Sequence, residues 1–237
     1  MHTSQHYDPT YYGLSLLAHK TQTPKIWALL ALKAELASIA HKVTDPQMGY
    51  VRLAWWRDAL QNLPNTANQH PILATLAAFS TPQLNTMLAA MATHTAESLV
   101  QPPDWAALQL WADNEIWPLW QAWGLLCGQN LTDFYKPYAQ CVALTRNLRQ
   151  NLVGKTWLPQ TLLLNASDGE ALVNYAKLLD AEWQKISAAP TTVPTFMHDI
   201  WVQHTWFKNF KAGGYKANSH TLNNPKLWLW RCWWHNR

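Results

Sequence analysis

At 237 residues and 49% apolar content, the chain can bury a sizeable core and is expected to form one domain over 1–237. A net charge of +4 with no dense basic run argues against a nucleic-acid partner, and no stretch nears the roughly 18 uninterrupted apolar residues of a membrane span. Only 8 glycines favour helices over sheets, and 16 tryptophans exceed the needs of such a core, so several are expected to line a cavity or reach an amphipathic surface.

The N-terminus has no basic run ahead of Leu14–Leu17, which is too short for a signal core, so a cytoplasmic location is expected. Leu32, Leu36, Ile39 and Val43 then step by four, three and four, predicting a helix from about 26 to 43 that Pro24 is placed to start. Pro46 and Gly49 break it, and a helix carrying Trp55 and Trp56 follows. Further helices are predicted at about 70–79, 82–100, 103–130, 132–153, 168–187, 194–212 and 224–235. Turn clusters at 63–68, 101–104 and 212–215 separate them. Cys127, Cys141 and Cys232 lie far apart with no C-x-x-C spacing and read as buried thiols in a reducing compartment.

The segment 132–159 has the clearest stripe, with Phe134, Tyr138, Cys141, Thr145, Leu148 and Leu152 on one face and Val142, Arg146, Arg149 and Val153 beside it. Near the end, Lys226–Arg237 combines four tryptophans with Lys226, Arg231 and Arg237. That composition suits either a last helix over the core or a contact with a membrane interface or partner groove.

Several motifs follow one another in a telling order. They are Asp8-Pro9 with Tyr11 and Tyr12, an apolar helix, Pro46-Gln47-Met48-Gly49, and then Arg52-Leu-Ala-Trp55-Trp56-Arg57-Asp58-Ala-Leu60. Later come Ala143-Leu144-Thr145-Arg146-Asn147-Leu148-Arg149-Gln150-Asn151 and Leu158-Pro159. Over about residues 7–160 this order resembles the squalene/phytoene synthase family, and particularly its divergent branch that includes a mitochondrial complex I assembly factor. Residues 161–237 match by helical character alone. The resemblance implies an all-α, isoprenoid-synthase-like bundle of antiparallel helices around a central apolar cavity. It also implies a head-to-head condensation of two prenyl diphosphates, driven by magnesium held on facing aspartate clusters.

The carboxylates that this chemistry needs are missing at the matching positions. Laying the first aspartate-rich motif on Leu30–His41 puts Ala37, Ser38 and His41 at the former metal-ligand positions, and in the second motif Gln150 replaces the aspartate and Arg146 an asparagine. Magnesium bridging a diphosphate wants hard oxygen ligands, which helices supply as carboxylates three or four residues apart. None of the 14 Asp and Glu residues has another at that spacing; Asp113/Glu115, Asp168/Glu170 and Asp180/Glu182 are two apart. His94 and Glu97 are at i, i+3 but offer too few ligands for a transition metal.

The chain therefore reads as a degenerate family member, a pseudoenzyme that binds a prenyl or other lipid or assists assembly of a membrane complex. No cofactor is expected. Arg146, Arg149, Lys155 and Gln150 are candidate phosphate or ligand contacts, and Arg52, Trp55, Trp56, Arg57 and Asp58 candidate helix-pairing or cavity-wall residues. Residues 226–237 are the candidate peripheral contact with the inner membrane face, and a protein partner is also compatible. The alternative is an active prenyltransferase that gathers Mg2+ on displaced carboxylates such as Asp58, or Asp113 with Glu115. A third reading is a scaffold whose cavity is filled by tryptophan side chains.

Overall fold

The computed structural model describes residues 15, 22–152, 157–164, 166–186, 194 and 197–215. Among them all regular structure is helical, in keeping with the expected all-α class. They fall into two compact units: residues up to 100 with 117–132, and 101–116 with those after 132.

The first unit begins with α1 (Thr23–Lys42), α2 (Pro46–Gln61), α3 (Pro71–Ala77) and α4 (Pro82–Glu97). Each carries a proline in its first two positions, where the missing N–H has no intrahelical partner to lose. Side chains cap three of them: Asp45 Oδ1 accepts from Gln47 N at 2.9 Å, His70 Nδ1 from Ile72 N at 3.2 Å and Thr81 Oγ1 from Leu84 N at 3.1 Å. The chain then builds α5 (Trp105–Glu115) in the second unit and returns to the first for α6 (Trp117–Leu126). Within the first unit α4 packs on α2 and α6, and α1 contacts all the others. Leu29, Leu32, Leu36, Leu53, Leu88, Trp120 and Trp123 fill its core.

The second unit is organised on α7 (Lys136–Leu152), entered through a 3-10 turn at Asp133–Tyr135. α5, α9 (Asp168–Lys185) and α10 (Asp199–Ala212) each pack against α7, and the short α8 (Gln160–Leu164) leans on α9. The predicted stripe explains this, since Tyr138, Cys141, Thr145 and Leu148 are all buried. Tyr175 of α9 donates its hydroxyl to Leu144 O at 3.0 Å, and Trp105 meets the Tyr175 ring edge-on at 5.2 Å. Burial raises the Cys141 and Cys127 thiols above their usual range.

Two local predictions change. The single helix at 103–130 is broken at Ile116, because Pro118 has no N–H to donate and its ring clashes with the turn before it. Phe134, placed on the buried stripe, is 58% exposed, since α7 begins only at Lys136. Residues 224–235 and the Asp8–Tyr12 motif lie outside the described residues. Among the described residues no helix is long and apolar enough to cross a membrane.

Candidate functional site

In the first unit Ala37 and Ser38 sit towards the end of α1, Ala37 half-buried and Ser38 buried, with His41 in the last turn. The tryptophan-arginine motif lies on α2. Trp56 is buried and meets His70 edge-on at 4.8 Å, while Trp55 is 42% exposed and stands edge-on to Trp56 at 5.1 Å. Arg57 pairs with its neighbour Asp58 on the same helix at 2.8 Å, both being exposed. Arg52 is exposed on the same helix.

In the second unit the α7 motif forms a connected polar network. Arg146 approaches Asp199 with Nη2 2.7 Å from Oδ2; the contact is an ion pair without hydrogen-bond alignment. Asp199 opens α10, where a carboxylate complements the helix dipole, and its side chain is fully buried. Gln203, one turn on, donates Nε2 to Asp199 Oδ1 at 2.9 Å and accepts from Arg149 Nη1 at 3.1 Å. The Arg149 guanidinium also lies over the Trp206 ring, 5.3 Å from its centroid. Both arginines expected to face a ligand thus hold α10 against α7. Gln150 is exposed near the end of α7, and Lys155 lies outside the described residues.

Next to this network Asn147 and Asn151 hold the backbone of Trp157, just ahead of Leu158-Pro159. Asn151 Nδ2 donates to Asn147 O at 2.8 Å, and Asn151 Oδ1 accepts from Trp157 N at 2.7 Å. Gln101 Nε2 donates to Leu158 O at 2.7 Å from the start of the unit. On the opposite flank Trp183 Nε1 donates to Thr145 Oγ1 at 3.2 Å. Sequence reasoning missed Asp199 and Gln203. Their signal was an aspartate and a glutamine one turn apart in a helix that also carries Trp201, Trp206, Phe207 and Phe210.

The residues at the aligned ligand positions do not fit a magnesium ion. Ala37 offers a methyl group, Ser38 a buried hydroxyl and Gln150 a neutral amide, where a diphosphate-bound divalent cation calls for carboxylates. Among the described residues no group of three or more His, Cys, Asp or Glu is placed to hold a metal ion. Asp58 belongs to the first unit, and Asp113 and Glu115 to the second. Burial raises the Asp113 carboxyl above its usual range, Lys136 opposes that and the Glu182 charge adds to it.

The squalene/phytoene synthase family model matches residues 4–115. That segment, just under half of the chain, is similar to the squalene/phytoene synthase family. No curated protein and no solved structure matches the chain. The family segment takes in α1 to α4 of the first unit and α5 of the second, so the α7 network lies beyond it.

Proposed function

We propose that this chain is a squalene/phytoene synthase family member that has lost diphosphate ionisation and acts by binding, in the manner of an assembly factor. The observation that carries this reading is the Arg146–Asp199 pair. One turn before the position where the resemblance places a metal-binding aspartate, α7 presents a cation that is neutralised within the protein. With Gln150 following it, this part of α7 supplies no carboxylate for a metal, and the Arg146 and Arg149 guanidiniums are engaged by Asp199 and Gln203. With both guanidiniums so engaged, the described part of α7 offers little of the charge stabilisation that ionisation requires.

Calorimetric titration with farnesyl diphosphate, in magnesium and again with chelator, tests the reading alongside an assay for released inorganic diphosphate. The expected result is no magnesium-dependent heat and no release. Magnesium-dependent binding or turnover would overturn the proposal. Binding that chelator leaves unchanged would keep the loss of ionisation and replace the assembly role with prenyl-lipid carriage.

A further inference from the structure

A second feature of the α7-centred unit lies away from the network just described. α9 and α10 each pack on α7, and a cleft of about 400 Å³ remains between them. Asp180, Trp183 and Gln184 line one wall, spaced by three and four on α9; His204, Phe207, Lys208 and Lys211 line the other on α10. This volume is at the small end of ligand sites, which run from about 300 to 1,000 Å³.

The chemistry of the walls is specific. Trp183 and Phe207 are nearly buried and give the cleft an aromatic floor, and the His204 ring stacks on Trp183 at 4.8 Å with an interplanar angle of 30°. Trp183 cannot easily turn away, because its indole N–H is held by Thr145. At the rim Lys211 pairs with Asp180 at 2.6 Å, and Gln184 donates to the same carboxylate at 2.8 Å. The Asp180 charge is therefore matched. Lys208 has no carboxylate partner among the described residues, leaving the cleft one net positive charge beside an apolar surface.

We propose that the cleft between α9 and α10 binds a small organic monoanion, a carboxylate carried on an apolar body. The carboxylate pairs with Lys208 and the body lies on the Trp183–His204 stack. The charge count separates this ligand from a diphosphate, whose further negative charges would meet only the already paired Lys211 and the buried rings. Burial and then the Lys208 charge lower the His204 pKa, so the ring adds less positive charge to this wall than an exposed histidine would. This proposal is independent of the reading of α7, because none of the cleft residues lies on that helix.

The test is an NMR titration of the full chain with octanoate, following the Trp183 indole N–H and the His204 ring, with 1-octanol as the uncharged comparison. Octanoate should shift both signals saturably, and octanol should bind more weakly. Lys208→Gln should weaken octanoate roughly fivefold, the upper end for one exposed ion pair. Lys208→Arg should restore it, and Lys177→Gln, an exposed change on α9 outside the cleft, should leave it unaltered. Three results would overturn the proposal: no shift at Trp183 and His204, octanol binding as tightly as octanoate, or full affinity in Lys208→Gln.

Discussion

Replacing Arg146 with methionine isolates the interaction on which the second unit turns. The substitution keeps most of the side-chain volume and removes the charge, leaving the fully buried Asp199 carboxylate beside the neutral Gln203 amide without its cationic partner. Breaking a buried pair in this way costs about 3–5 kcal/mol. Asp199→Leu should cost less, about 1–3 kcal/mol, because the Arg146 side chain is 18% exposed and its charge can be partly hydrated. The double variant removes both charges and should recover most of the larger loss. With a urea m-value of about 2 kcal/mol/M, Arg146→Met lowers the midpoint by about 1.5–2.5 M. Circular dichroism gives the midpoint, and hydrogen exchange along α10 shows whether the loss is local to that helix. If the two single losses simply add in the double variant, the pair is not coupled and the network does not hold α10 as described.

Asp113→Asn should stabilise the protein at neutral pH. A raised carboxyl pKa means that the folded chain binds the proton more tightly than the unfolded one, so Asp113 destabilises the fold increasingly as pH climbs above its ordinary 3.8. Thermal melts of both forms across pH should converge in acid and separate towards neutrality; an equal gap at every pH would refute this. Lys208→Gln should raise the His204 pKa, because it removes a neighbouring positive charge while burial stays, and a ring-proton titration by NMR reads the change. Asn151→Ala removes the acceptor for Trp157 N–H and should cost about 1–3 kcal/mol, with faster amide exchange at Trp157 and Leu158 as the local sign.

The helices were legible because the apolar steps of three and four match the helical period, and because prolines mark the starts of α1 to α4. Pro118 was harder to weigh, since the residues on both sides of it continue an apolar pattern. Within the site, the sequence showed what Ala37, Ser38 and Gln150 lack but not what Arg146 and Arg149 touch. Asp199 lies on a different helix with no acidic neighbour at i+3 or i+4, and chain spacing carries no trace of a contact made by packing α10 on α7. The cleft was illegible for the same reason, as it exists only because α9 and α10 share α7 as their support.

The route of the chain bears on how such a protein can be divided. α5 leaves the first unit for the second, and α6 then comes back. A fragment ending at residue 115, where the family match stops, would keep α5 without α7 and would strip α6 from α1 and α4. The buried Trp120 and Trp123 would go with it. The family match and the compact units therefore have different borders in this molecule, and a recombination or truncation that respects the first cuts through both of the second.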